Sequence, residues 1–254
     1  MAGFPSLLKT QVDRIQGRFP VGGLILLGSV QSEMEALLHD HHASLFGRST
    51  FDMSLRPWDP SAVFSVAASH GASEPARTLT LWTLFGGVPK YWRDFANLGE
   101  LSGIPTWSEW ALEVCRRLFL RVDSPLREEG ESLLGWELRR NNLAVLRAVA
   151  RLAPCTHADL QAELPRRSLG PYLTTLVQDL RLVDRLQPVF ATEKQRRARY
   201  VISDPFHLAW LRVIRPARQA ARILPTRQVE RYIRVRLRWV VIMHLRCAGR
   251  APVC

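Results

Sequence analysis

Residues 143–160 read LAVLRAVARLAPCTHADL, and this stretch decides how the second half of the chain is expected to fold. Before Pro154, apolar residues recur at the spacing of one helix face, which predicts an amphipathic helix over residues 141–153. After it, Thr156 and Asp159 have the spacing of a capping box, so a second helix is expected to begin there. The sequence therefore predicts two helices joined by a turn.

The residues that follow predict a third helix and a pair of strands. Residues 166–177, RRSLGPYLTTLV, suit a helix, and residues 182–190 and 199–202 suit strands. A charged turn at 191–198 separates the two strands. Three short helices followed by a basic two-stranded hairpin are typical of a winged helix-turn-helix.

A winged helix that binds DNA places its third helix in the major groove and its wing on the phosphates. The third helix here offers only polar, uncharged side chains for reading bases: Tyr172, Thr174, Thr175 and Gln178. Two interpretations stay open, namely DNA contact and an internal packing or switching role. The candidate phosphate contacts flank that helix or lie on the wing: Arg166, Arg167, Lys194, Arg196, Arg197 and Arg199.

The first part of the chain has a different pattern. Residues 24–29 read LILLGS, in which an apolar run enters a Gly-Ser pair before a helix-like segment. This pattern predicts a buried strand of an α/β sheet, and residues 51–55 alternate like a second short strand. A sheet with so few strands would expose an edge, so association with another chain through the incomplete sheet is expected.

Three segments together resemble a known family. They are LILLGSVQSEMEALLHDHHASLFGRSTFDMSLRP at 24–57, LFGGVPKYWRDF at 84–95 and a segment at 132–216 that contains DPFHLAW. In order and spacing they resemble the archaeal-type ATPases, a prokaryotic P-loop family of the AAA+/STAND group. The resemblance covers about residues 1–216 and implies the end of an ATPase core, a helical lid and a winged helix.

The resemblance also implies a nucleotide site, with ATP and Mg²⁺ as the cofactors of the full-length family. Ser29 would occupy the sensor position, and Arg48 would reach a phosphate. Gly86 and Gly87 would let the backbone approach the nucleotide, and Pro89 would pack on the adenine ring. Each residue also has a simpler interpretation, as a turn residue at Ser29 and Arg48 and as a helix break at Gly86–Pro89.

The residues that hold phosphates in P-loop proteins are missing from this sequence. No G-x-x-x-x-G-K-[ST] segment occurs, and no apolar strand ends in Asp-Glu. Without them nothing holds the β- and γ-phosphates or the magnesium ion. We therefore expect that the isolated chain does not hydrolyse ATP. The hypothesis for the truncated core is that the chain comes from a gene remnant or from a misplaced start codon.

The expected fold is mainly α with a small α/β part, in four segments. Residues 1–65 are the end of the ATPase core, 66–130 the helical lid, 131–216 the winged helix and 217–254 a basic, poorly ordered tail. The charge is concentrated at the end, since residues 205–254 carry a net charge of +10 out of +12 for the chain. Such a tail attracts nucleic acid or another anionic surface.

Other classes of site are not indicated. His39, His41 and His42 lack the spacing of metal ligands, so a solvated loop is expected there. There is no apolar run long enough to cross a membrane, and the scattered cysteines suit the cytoplasm. The expected function is that of an incomplete archaeal-type ATPase. The alternatives are a winged-helix DNA-binding protein or regulator, and a non-functional fragment.

Overall fold

A computed structural model shows a mainly helical chain that divides into two units, Met1–Arg56 and Pro57–Cys254. In the part of the chain that it describes, the only sheet has two strands. The mainly-α prediction is therefore confirmed. The described residues are 3–16, 24–28, 31–69, 74–99, 101, 103–138, 140–165, 168–187 and 198–248.

The first unit has two helices and very little buried apolar surface. Helix α1 spans Phe4–Gln16 and α2 spans Gln31–His39. Leu45 is the one fully buried side chain among the residues described in this unit. Several large apolar side chains are instead exposed: Phe4, Leu7, Leu24, Ile25, Leu27, Phe46, Phe51, Met53 and Leu55.

The strand prediction at 24–27 is wrong. Residues 24–28 and 51–55 have no regular structure, and Ile25 and Leu27 are more than four-fifths exposed. A short apolar run forms a strand only where a neighbouring strand takes up its backbone hydrogen bonds, and the described residues of this unit provide none. The expected sheet edge is therefore absent from the described residues, and association with another chain stays a prediction.

The second unit begins with five helices that start at clear sequence signals. The Asp59 carboxylate accepts a hydrogen bond from the Ala62 N–H (2.8 Å), and Thr106 Oγ1 accepts one from the Glu109 N–H (3.3 Å). Both are N-cap contacts that satisfy free backbone donors. The helices are α3 Pro60–Ser69, α4 Pro75–Phe85, α5 Pro89–Ala96, α6 Trp107–Cys115, which continues into a π-helical turn at Arg116–Leu120, and α7 Glu129–Glu137.

Three helices and a hairpin follow in the predicted order. The capping box is present, since Thr156 Oγ1 accepts from the Asp159 N–H and the Asp159 carboxylate accepts from the Thr156 N–H. The strands are antiparallel, with Val183 opposite Ile202. The elements are α8 Arg140–Leu152, α9 His157–Glu163, α10 Gly170–Thr174, which continues into a π-helical turn at Thr175–Asp179, β1 Val183–Leu186 and β2 Arg199–Ile202.

The segment expected to be a poorly ordered tail contains helices up to residue 248, with a turn at 221–225. Helix α11 spans Pro205–Ala209 and continues through a π-helical turn at Trp210–Ile214 into α12, Arg215–Ala220. Helix α13 then spans Thr226–Ala248. Its apolar residues at 229, 233, 237 and 240 are buried, at the spacing of one helix face. The prediction of disorder is therefore wrong here, because this stripe has a core to pack against.

One hydrophobic core extends from α4 to α13. At its centre Tyr91 stacks on Phe206 with ring centroids 4.6 Å apart, and Phe206 stacks on Trp210 at 6.1 Å. Phe119 meets Trp210 edge to face at 6.3 Å. The helices expected as a lid, a winged helix and a tail thus share a core, and the expected boundaries at 130/131 and 216/217 fall inside it.

The turn after α4 is built around two buried glycines. Gly86 has a φ of 56°, which glycine adopts without strain, and its N–H donates to the Trp82 carbonyl (2.8 Å). The Gly87 carbonyl accepts from the Trp58 N–H (2.8 Å). A Cβ on Gly87 would overlap the Trp58 backbone. Glycine is therefore required here by the close approach of two backbones.

Helix α13 makes specific polar contacts with the rest of the core. His244 Nδ1 lies 3.2 Å from Thr83 Oγ1 of α4. The Tyr232 hydroxyl donates to the Arg212 carbonyl (3.2 Å), and the Arg212 guanidinium lies 3.2 Å from the centroid of the Trp239 ring. Burial lowers the pKa of His244 to about 4 and that of Arg212 to about 10. Their buried surroundings thus disfavour the charged forms of His244 and Arg212.

Replacing Gly87 by alanine should destabilise the second unit. The added Cβ meets backbone atoms, which have no alternative rotamer, so the turn has to shift and the free energy of unfolding should fall by roughly 1–3 kcal/mol. Urea unfolding followed by circular dichroism measures this. Gly103→Ala is the matched control, because nothing lies within 4 Å of the Cβ it adds. Equal stability of the two variants would contradict the proposed packing.

The stability of the second unit should depend on the protonation of His244. With a folded pKa of about 4 and an unfolded pKa near 6.5, the unfolded chain binds the proton first as the pH falls. The free energy of unfolding should therefore drop between pH 7 and pH 5, by about 2 kcal/mol from this group. Urea unfolding at both pH values should show a smaller drop for His244→Gln. An equal drop in the unaltered protein and in the His244→Gln variant would show that His244 is not the source of the pH dependence.

Candidate functional site

Arg48, one of the predicted nucleotide contacts, is engaged within the first unit. Its Nε donates to Asp13 Oδ1 of α1 at 2.7 Å, and its Nη1 donates to the carbonyls of Ser44 and Phe46, each at 3.3 Å. The hydrogen bond from the Arg48 guanidinium lowers the pKa of the Asp13 carboxyl. The side chain therefore ties a loop to α1, and its phosphate-reaching role stays a prediction.

The glycine turn of the predicted nucleotide site is filled by protein. A Cβ on Gly86 would lie 3.1 Å from the Asp204 carboxylate and 3.4 Å from Pro205, while Gly87 faces the Trp58 backbone. Pro89 is the exposed first residue of α5. The glycines thus permit protein packing rather than leaving space for a ligand. Ser29 lies outside the described residues, and Arg48 belongs to the other unit.

The outward face of α10 is polar and carries no basic residue. Thr174 and Gln178 are exposed, while Leu173 and Leu176 are buried against the core. The Asn141 side chain donates to the Tyr172 hydroxyl at 3.3 Å, so Tyr172 is held close to α8. Of the four base-reading candidates, Thr174 and Gln178 are the ones that this surface presents fully to solvent.

The hairpin presents arginines on both of its faces. The strand register places Arg185 opposite Tyr200 and Leu186 opposite Arg199. Because side chains alternate along a strand, Arg185 and Arg199 project from opposite faces of the ribbon. Both are exposed, and neither forms an ion pair within the described part of the chain. Arg185 is not among the predicted contacts, although it lies within the strand predicted at 182–190.

The remaining predicted phosphate contacts cannot be placed. Arg166 and Arg167 before α10, and Lys194, Arg196 and Arg197 between the strands, lie outside the described residues. The sequence still puts three of these cations between two strands whose described ends are already basic. Arg199 is thus the predicted contact that the structure places directly.

Among the described residues, the histidines and cysteines form no reactive group. His39 Nε2 lies 3.4 Å from Asp52 Oδ2, and the His41 ring packs on Phe46. No cluster of three His, Cys, Asp or Glu residues occurs in the ranges that the structure describes. Burial raises the pKa of the Cys115 thiol to about 12 and that of Cys155 to about 11. Both thiols are therefore protonated at neutral pH and unreactive.

A second set of arginines was missed because the sequence analysis treated residues 217–254 as a tail. Arg227, Arg231, Arg234 and Arg238 follow one another along α13 at spacings of four, three and four residues. This spacing was visible in the sequence beside the buried stripe of the same helix.

No helix in the described ranges is both long enough and apolar enough to cross a bilayer.

Comparison with known proteins gives one distant relative. The chain is 25% identical over 205 residues to MJECL04, an uncharacterized protein of Methanocaldococcus jannaschii. The match covers 76% of this chain and 41% of the relative, so the chain spans about two fifths of the length of that protein. No family model matches the chain. No solved structure matches it either.

Proposed function

We propose that residues 140–202 form a winged helix-turn-helix that binds duplex DNA. The observation that carries this proposal is the order α8, α9, α10 and antiparallel hairpin, with arginines on both faces of the hairpin. In this arrangement α10 is the recognition helix, and the hairpin is the wing that contacts the phosphates.

The exposed side chains of this surface suit a duplex. Thr174 of α10 and Gln178 of the turn that continues it hydrogen-bond to base edges or phosphates without adding charge. In this arrangement α10 contacts the bases, and the wing binds the phosphates. Acids also lie nearby. Asp159 of the capping box interacts with the charge of Arg199, the Asp184 carboxylate accepts a hydrogen bond from Ser203 Oγ (2.8 Å), and Asp179 is exposed in the turn that continues α10. These carboxylates remain charged and offset part of the positive charge of Arg185 and Arg199.

The wing should contribute a salt-dependent part of DNA affinity. Arg185→Gln combined with Arg199→Gln removes two phosphate contacts, so the slope of log K against log salt should fall in magnitude by about 1.8. Fluorescence anisotropy of a labelled mixed-sequence duplex, titrated at several salt concentrations, measures this slope.

The matched control removes the same charge from another surface. Arg93 and Arg121 are exposed and lie near Asp94 and Asp123. The variant with glutamine at both positions has the same net charge as the wing variant, so it separates a local contact from a general charge effect. An unchanged slope in the wing variant, or no salt-sensitive binding by the unaltered protein, would overturn the proposed function.

A second proposal concerns the protein family. We infer that this chain corresponds to the C-terminal part of an archaeal-type ATPase, in which other segments supply the P-loop. Two observations support this. The first unit buries little beyond Leu45 and exposes many apolar side chains, as a piece of a larger core would. The relative is also more than twice as long as the matched region.

The packing around the glycine turn argues that this chain does not hold ATP by itself. Trp58, Asp204 and Pro205 occupy the space beside Gly86 and Gly87. We therefore expect no change in the melting temperature of the isolated chain when Mg-ATP is added, because a ligand stabilises a fold only if it binds it. A reproducible upward shift of several degrees in differential scanning fluorimetry would show that the chain retains a nucleotide site. Heat-denatured protein with Mg-ATP is the control for dye effects.

A further inference from the structure

We propose that Arg227, Arg231, Arg234 and Arg238 form an arginine stripe on α13 that contacts the phosphate backbone of DNA, at a surface distinct from α10 and the wing. The proposal takes its partner, DNA, from the proposed function. It adds a second, sequence-independent contact that the winged helix does not include.

The spacing of the arginine stripe aligns its side chains. Offsets of four, three and four residues keep all four arginines on one side of a helix with 3.6 residues per turn. At 1.5 Å per residue the stripe covers about 16 Å of the helix axis. The buried stripe of Val229, Ile233 and Leu237 lies on a different side of the helix. Core packing therefore holds the backbone positions of the four arginines in a line, while their exposed side chains stay free to rotate.

The charges of the arginine stripe are available to a ligand. Arg227, Arg231 and Arg238 are exposed, and no described acid forms an ion pair with them. Arg234 is half-buried, and its Nη1 donates to Ser108 Oγ at 3.4 Å. The one acid of α13, Glu230, is held by Arg116 of the core. Arg234 lines a pocket together with Glu109, Glu113 and Glu230, so the positive charge that the stripe presents to a ligand comes from Arg227, Arg231 and Arg238.

Phosphate is the chemistry that matches these groups. The guanidinium fork donates two parallel hydrogen bonds to one phosphate and remains charged at any physiological pH. A row of such forks fits a ligand that is a row of phosphates. Because side-chain rotation allows each fork to find a different oxygen, contacts of this kind do not depend on base sequence.

An anionic membrane fits this surface less well than DNA does. A helix that lies on a bilayer inserts its apolar face between the lipids, but the apolar face of α13 is buried in the core. The exposed large apolar side chains described on α13 are Val235, Trp239 and Ile242. The Arg212 guanidinium covers the Trp239 ring, so these three side chains form a narrow border rather than an inserting face.

The test replaces the three exposed arginines, Arg227, Arg231 and Arg238, by glutamine in the full chain. The slope of log K against log salt for a mixed-sequence duplex should fall in magnitude by roughly 2.7, or about 0.9 for each arginine. Each single variant should lower it by about 0.9. The singles keep the test valid if the triple variant folds poorly, which thermal melting will show. The triple control variant Arg14→Gln, Arg56→Gln and Arg93→Gln has the same net charge and should keep the slope.

The outcomes separate this inference from the proposed function. Loss of slope in the stripe variants but not in the wing variant would support the stripe and overturn the winged-helix proposal. Loss of slope in the wing variant alone would support the winged-helix proposal and overturn the proposal for the arginine stripe. A stripe variant that loses binding to phosphatidylserine vesicles and keeps its DNA slope would overturn the inference in favour of a membrane. Equal losses in the stripe and control variants would overturn it as a general charge effect.

Discussion

The stack of Tyr91, Phe206 and Trp210 joins helices that are far apart in the sequence, and the second unit is arranged around it. Tyr91 comes from α5, Phe206 from α11 and Trp210 from the π-helical turn that follows. Gly130 in α7 lies so close to the Trp210 ring that a Cβ would overlap it. Aromatic pairs contribute about 0.5–1.5 kcal/mol each beyond the apolar area they bury. The stack thus makes one core of segments that look like separate modules.

The same contacts give the family-like motifs a structural meaning. The Gly86–Gly87 turn and the Asp204–Pro205–Phe206 segment pack against each other, and Tyr91, which follows the turn, stacks on Phe206. Residues that resemble parts of a nucleotide site are here accounted for by packing.

The sequence was sufficient where the signals are local. The capping box at Thr156 and the helix-breaking glycines at 86 and 87 act within a few residues, so α8, α9 and the turn after α4 were predicted. The strand predicted at 24–27 does not form, because a strand depends on partners elsewhere in the chain. Helix α13 was missed because its arginine content obscured the regular apolar spacing of Val229 and Ile233.

The candidate site could be predicted only in outline. The hairpin and Arg199 followed from the pattern, whereas the pairing that puts Arg185 on the opposite face required the register. For Arg48, the partner Asp13 is 35 residues away, and nothing local indicates that contact.

The position of α13 also has a consequence for biosynthesis. His244 meets Thr83 across 161 residues, and the faces of α4 and α6 are covered by the last described helix of the chain. A ribosome releases the N-terminal helices first, so these apolar faces stay uncovered until α13 has left the exit tunnel. Folding of the unit is therefore expected to be completed only after α13 has emerged, and the exposed faces of the nascent chain are open to chaperones until then.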